Sequence, residues 1–482
     1  MASTNAPSEL RWDRRLWISL VLLCGVLFLD GLDVSMVGMA LPSIRDDLHL
    51  STSQLQWVVS GYVLGYGGLL LLGGRVADLL GRKRALIGAL SVFFLASVFG
   101  GLVSDPTLLI VSRFVKGAAA AFTAPASLSL ITTTFAEGPA RNKALAVYTA
   151  TGATGFSLGL VFGGLLTEIG WRWVFFLPAP VAFVALLAGI RLVPQSSRPR
   201  FSRAFDLAGA VSMTAGMLLL VFTLVEAPDA GWGSFRTLGS FVAVAAIFAV
   251  FVARERSTPA PLVRLGILRN ASLVRANLGA MSLFGGWVGF QFIVTLYLQQ
   301  LRGWSSLETG LAIFPGGALV AVLSPRIAPL IMRFGVTRLI VAGLVSITGA
   351  YALFLPIGLD SGYAAAMLPT FILAGLGFAL AFGPLNVAAT NGVAPEEQGL
   401  AGGLLNTSFQ FGGALALAIV TAVINANVGA GGSPQAILVG YHAALYVSVG
   451  AALLGLTAML QRTSRRAAEP EPALEEILDE AA

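Results

Sequence analysis

Fourteen stretches, each long enough to cross a bilayer as a helix, follow one another along this chain, and their succession constrains the fold more than any other feature. They fall near 16–40, 54–73, 85–103, 107–134, 144–167, 173–193, 205–226, 237–253, 272–299, 309–331, 338–357, 363–385, 399–425 and 438–460. A spanning helix needs about 20 mainly apolar residues. Only backbone that satisfies its own hydrogen bonds can stand in hydrocarbon, so runs of this length specify helices. Of the 482 residues, 11% are charged, against about a quarter in soluble domains. The expectation is an all-α polytopic membrane protein with 14 transmembrane helices and both termini on one side.

The basic residues say which side. Arg11, Arg14 and Arg15 precede the first run, and Arg75, Arg82, Lys83 and Arg84 join the second to the third. Alternate loops then carry Arg141 and Lys143, Arg191 to Arg203, Arg254 to Arg269, Arg333 and Arg338, and finally Arg462 to Arg466, whereas the opposite loops hold Arg45, Arg172, Arg236 and Arg302. Lys and Arg stay on the cytoplasmic side, so both termini are expected there, in a multi-pass protein of the cell membrane. The same loops explain the net charge of +6 without nucleic acid as a partner. One cysteine, Cys24, and two histidines, His49 and His442, leave no disulfide and no metal site to expect. No cleavable signal peptide is expected, because the first apolar run is too long for a signal core.

The chain also repeats itself. Arg75-Val-Ala-Asp-Leu-Leu, then Gly81 and Arg84-Ala-Leu-Ile-Gly, returns loosely as Arg326-Ile-Ala-Pro-Leu-Ile, then Gly335 and Arg338-Leu-Ile-Val-Ala-Gly. Internal duplication is characteristic of transporters built from repeated bundles. It divides the chain into a cytoplasmic N-terminal segment (1–15), a six-helix bundle (16–193), an inserted pair of helices (205–253), a second six-helix bundle (272–460) and an acidic, solvated tail (461–482).

Ionisable side chains inside the hydrocarbon are costly and mark function. Asp30 and Asp33 are three apart in the first run, on one helical face, and Arg113 and Lys116 are three apart in the fourth. Burial favours the neutral acid and a neighbouring cation favours the carboxylate. That balance suits a group that takes up and releases a proton. Asp33 is the expected proton carrier, with Asp30 close behind and Arg113 answering their charge. The alternative is a static ion pair that holds the bundle together.

The surrounding residues carry a family resemblance. Gly74, Asp78, Gly81, Arg82 and Arg84, in the order Gly-x-x-x-Asp-x-x-Gly-Arg-Lys-Arg, resemble the loop between helices 2 and 3 of the major facilitator superfamily. Leu32-Asp33-Val34 through Ala40-Leu41-Pro42 is similar to the helix 1 motif of its drug:proton antiporters, and Gln56-Trp57 with Tyr62 and Leu64 to the opening of their helix 2. Arg113 with Gly117 resembles the helix 4 motif. Gly155, Gly159, Gly163 and Gly164 resemble the antiporter glycine motif of helix 5, although Leu160 stands where that motif has proline. Trp171-Arg172-Trp173 with Pro180, and the run from Gly399 to Gly413, resemble the fourteen-helix branch often called DHA2, with Phe409 where an arginine is common.

The resemblance covers about 16–460 and implies a proton-coupled multidrug or natural-product exporter, not an enzyme. It implies alternating access, with Gly74–Arg84 as a cytoplasmic gate, protons as the coupling ion and no other cofactor. A central path is expected between the bundles, with Tyr62, Tyr66, Trp287, Gln291, Asn406 and Gln410 as candidate substrate-binding residues. Asn406 and Gln410 are four apart on one face. The second bundle has no carboxylate in mid-helix, which favours a neutral or weakly cationic amphiphile over a dication. A monomer in the lipid bilayer is expected. The rival readings are a lipid or siderophore-type transporter, or an importer, on the same frame; a sensor without transport; and an intramembrane aspartyl hydrolase, for which two acids on one helix face converge poorly on a substrate.

Overall fold

The computed structural model describes residues 12–135, 139–193, 207–258, 265–394, 397–427 and 433–461. The chain before Trp12 and the acidic tail beyond Gln461 lie outside them. No strand occurs among the described residues. The helices are α1 (Arg14–Leu48), α2 (Thr52–Leu80), α3 (Arg82–Leu102), α4 (Pro106–Thr134) and α5 (Pro139–Ile169), then α6 (Trp173–Leu192). They continue as α7 (Leu207–Ala230) and α8 (Phe235–Ser257), then α9 (Ala271–Leu301), α10 (Ser306–Phe334) and α11 (Val336–Phe354), with α12 at Tyr363–Thr390. The last two are α13 (Gln398–Asn427) and α14 (Pro434–Leu460). Thirteen helices among the described residues are long and apolar enough to cross a membrane. The remaining predicted run, 54–73, lies within α2, which is 29 residues long.

Several helices outrun the apolar stretch that announces them. α1 has 35 residues and continues through Arg45, Asp46 and Asp47 until His49 turns left-handed at φ 51°. At 1.5 Å per residue it is about 50 Å long, more than the ~30 Å hydrocarbon layer. Its charged end therefore projects into the headgroup region, where polar side chains do not oppose helix. Between α2 and α3 the chain turns at Gly81, φ 92°, and the matching Gly335 between α10 and α11 has φ 83°. Backbone of this kind favours glycine, so the glycines of the sequence repeat mark one and the same break made twice. α5 runs unbroken through Leu160, where the motif it resembles has proline.

The two ends of the chain pack by one scheme. α1 lies on α5 and α6, α2 on α4, and α3 on α4 and α6. Eight helices later α9 lies on α13 and α14, α10 on α12, and α11 on α12 and α14. The two six-helix bundles meet where α2 faces α13 and where α5 faces α10. The inserted pair sits on the first of these seams: α7 packs on both α2 and α13, and α8 packs on α7. Val63, Leu64, Val221, Leu224, Val225, Ala414 and Ala418 form the apolar cluster there.

Candidate functional site

The buried charges meet inside the N-terminal bundle. Asp33 is fully buried, as are Arg113 and Lys116. Arg113 donates through Nη1 to one carboxylate oxygen of Asp33, and Lys116 donates through Nζ to the other. Because the two cations are three residues apart, they leave the same face of α4 and grip the carboxylate from two sides. Arg113 also donates through Nε to the Val58 carbonyl at 3.1 Å, and its guanidinium lies 4.7 Å from the Tyr62 ring centre. The Lys116 ammonium lies 4.9 Å from the ring centre of Phe93 and 5.7 Å from that of Phe175. Aromatic faces attract cations most where water is excluded.

Small residues bring these groups within reach. A Cβ on Gly117 would overlap the Tyr62 carbonyl, which places α4 directly on α2. Along α5, Gly155 lies on the backbone of Phe28, Gly159 on Leu32 and Gly163 on Met36, so the glycine stripe is the surface on which α1 rests. Gly164 faces the other way, onto Ser306 and Leu307 at the start of α10. Close backbone approach through glycine is a common way to pack helices in lipid.

Asp30 differs from Asp33. It is 6% exposed, and its Oδ2 has no hydrogen-bond partner among the described residues.

The six candidate substrate-binding residues separate into three places. Tyr62 and Tyr66, with ring centres 6.0 Å apart, are buried beside the charge cluster. Trp287 and Gln291 line a cavity of about 10 Å³ in the C-terminal bundle, together with Phe290, Val294, Ile313 and Phe371. That is room for about one water molecule. Gln410 packs on Gly67 at the α2–α13 seam, and Asn406 donates its amide to Gly402 of its own helix at 2.9 Å.

An aromatic chain, which residue spacing did not announce, continues from Trp287. Phe156 of the N-terminal bundle lies 5.9 Å from it, and Phe378 5.4 Å. Phe378 stacks on Phe382 at 5.3 Å, and Phe382 lies 5.0 Å from Phe409. The second arm on Asp33, from Lys116, was also missed as a partner. Its spacing from Arg113 was the available signal.

The hairpin Gly74–Arg84 makes its described contacts inside the N-terminal bundle. Arg82 donates to the Ser129 carbonyl at 3.3 Å and Lys83 to the Ile190 carbonyl at 2.8 Å. Gly74 approaches Pro125 and Arg84 is exposed. The side chain of Asp78 lies outside the described residues. At the opposite end of the molecule the bundles are tied together. Gln299 donates to the Met39 carbonyl at 3.1 Å, Arg45 to Gln300 at 3.4 Å, and the Leu307 amide to Glu168 at 3.3 Å. Trp171 and Arg172 both donate to Asp47, at 2.9 and 3.0 Å, and so anchor the α5–α6 turn on the end of α1.

The Major Facilitator Superfamily model matches residues 23–417. The chain belongs to the major facilitator superfamily. It is similar to the puromycin resistance protein pur8 of Streptomyces alboniger, 38% identical over 92% of this chain and 90% of that one. It is also similar to the cephamycin export protein CmcT of Amycolatopsis lactamdurans, 34% identical over 92% of this chain and 91% of the relative. The lincomycin resistance protein of Streptomyces lincolnensis is 33% identical over 88% and 87%. Among solved structures, the nucleoside transporter NupG superposes with a TM-score of 0.66 at 14% identity, over 92% of this chain and 100% of that one. The peptide transporter POT superposes equally well at 16% identity, over 91% and 93%. The relatives agree with the resemblance to the fourteen-helix drug:proton antiporters. The chain is an integral membrane transporter, and its work is movement of a solute rather than a covalent reaction.

Proposed function

We propose that this transporter exports amphiphilic small molecules of the natural-product antibiotic kind in exchange for protons. The observation that carries the reading is the buried cluster of Asp30, Asp33, Arg113 and Lys116, in which Asp33 is held between the two cations, a titratable centre at the heart of one bundle. Intramembrane acids and bases of this sort mark ion pathways. The relatives' names, which describe antibiotic export and resistance, support the solute class. The aromatic chain from Phe156 to Phe409 supplies apolar, polarisable contact for a neutral or weakly cationic amphiphile.

In this reading both termini are cytoplasmic, and the ties of Gln299, Arg45 and Glu168 close the outer end. Alternating access then breaks those contacts while the hairpin Gly74–Arg84 closes the cytoplasmic end. Loss or gain of a proton at the Asp30–Asp33 centre biases the two arrangements, as any ligand with differential affinity for two states must. The test is efflux of a panel of fluorescent amphiphiles from membrane vesicles, with and without a proton ionophore. Efflux that the ionophore stops and that Asp33→Asn abolishes is the expected result. Efflux indifferent to the ionophore, or inward flux, would refute proton-driven export.

A further inference from the structure

The two acids of α1 sit in different surroundings, and the difference divides the work between them. Both oxygens of Asp33 are taken, one by Arg113 and one by Lys116. A proton added to either oxygen would displace a cation and leave it buried without its partner, which is the expensive way to break a buried ion pair. Asp30 is nearly as deeply buried, yet its Oδ2 has no partner among the described residues. A proton added there displaces nothing. It also removes a charge that burial opposes.

We propose that Asp30 carries the exchanged proton, while Asp33 stays ionised as a fixed counter-ion between Arg113 and Lys116. This rests on the proton-exchange reading above. The titratable groups near enough to act on Asp30 are Asp33 on its own helix, Tyr62 and Tyr66 of α2, Lys116 of α4 and Tyr148 of α5, with Arg113 on the other oxygen of Asp33. With Asp30 ionised, two acids balance two bases and the cluster is neutral. With the proton on Asp30 the carboxylate becomes a neutral acid and the cluster carries one net positive charge. No bond to Asp33 breaks in either direction, so the cation clamp is the constant part of the cycle and Asp30 the variable part. The Tyr62 hydroxyl is also buried without a partner among the described residues, on the ring that lies over the Arg113 guanidinium.

The experiment is infrared difference spectroscopy on the purified full-length protein, stepped from acid to alkaline pH. Carboxyls on the surface contribute equally to every variant and cancel on subtraction. The expected result is a carbonyl stretch of a buried protonated acid in the unaltered protein, absent in Asp30→Asn, restored at a shifted position in Asp30→Glu and retained in Asp33→Asn. A band that persists in Asp30→Asn overturns the assignment, and so does the lack of any such band in the unaltered protein. The Asp30→Asn and Asp30→Glu pair decides the question by itself if Asp33→Asn does not fold. Because the readout needs no solute, it fails separately from the export reading: ionophore-insensitive efflux would refute proton coupling and leave the site of protonation where the spectra put it.

Discussion

In the N-terminal bundle α1 and α4 meet through Asp33, Arg113 and Lys116; in the C-terminal bundle their counterparts eight helices on, α9 and α12, meet through Trp287, Phe290, Phe371 and Phe378. The helix contacts around these two centres are the same, and so is the glycine turn that Gly81 and Gly335 make. One packing scheme therefore accommodates an ionic core and an aromatic one. What differs is what each can respond to. The charged core changes with a proton, whereas the aromatic core offers shape and dispersion and is indifferent to pH. Under the proposed exchange, the duplicated frame separates the coupling ion from the contact with solute.

The strongest way to break that comparison is Asp33→Asn. It leaves Arg113 and Lys116 buried without their carboxylate, a loss of about 3–5 kcal/mol. Dye efflux driven by a proton gradient should fall to background, and the solubilised protein should unfold at a lower temperature. Normal efflux in this variant would mean that the Asp33 clamp on Arg113 and Lys116 is only structural.

Next come paired glycine substitutions. Gly155→Val meets the backbone of Phe28 in one bundle, and Gly412→Val meets that of Met281 in the other. Each overpacks a helix contact, for a loss of about 1–3 kcal/mol, and folded yield should fall to a similar degree in both. A much larger loss on one side would show that the two halves do not share a packing scheme.

Trp287→Leu removes the ring contacts with Phe156 and Phe378. Aromatic pairs contribute about 0.5–1.5 kcal/mol each beyond their area, so apparent affinity for an aromatic dye should weaken roughly three- to tenfold. Ionophore sensitivity should be unchanged. Dye affinity left intact with coupling lost would invert the division between the bundles.

The smallest effect belongs to the rim. Arg45→Gln loses a 3.4 Å contact with Gln300 at an exposed end, and thermal unfolding should move by no more than about 0.5 kcal/mol. A larger shift would make the rim, rather than the two cores, the main tie between the bundles.

Much of the fold was legible because hydropathy and charge are local properties of the chain. A run such as Ala85–Val103 reports its own span, and Gly81 and Gly335 report their own turns. The family could be read from Asp33, Arg113 and the α5 glycines because motifs, too, are local. The site was legible only in its ingredients. The sequence ranks Asp33 ahead of Asp30 as proton carrier, the two lying three residues apart on one face, and only the rotation of α4 against α1 gives both cations to one of them. Tyr62 and Trp287, both aromatic candidates for the same path, find different partners, Tyr62 the Arg113 guanidinium and Trp287 the rings of Phe156 and Phe378. Asn406 shares a helical face with Gln410, yet it turns its amide onto its own helix, a choice that depends on the neighbour it finds.

By itself, then, the sequence determined that this is a many-helix membrane transporter of the major facilitator superfamily with charge buried in its first half. Which oxygen each cation holds, which acid is left with a free one, and where the two bundles touch were decided by the tertiary structure alone. The physical reason is range: composition and periodicity act over one helix, whereas an ion pair about 80 residues apart in the chain, such as Asp33 with Arg113, depends on how glycine contacts set the rotation and distance of helices that the sequence never lists side by side.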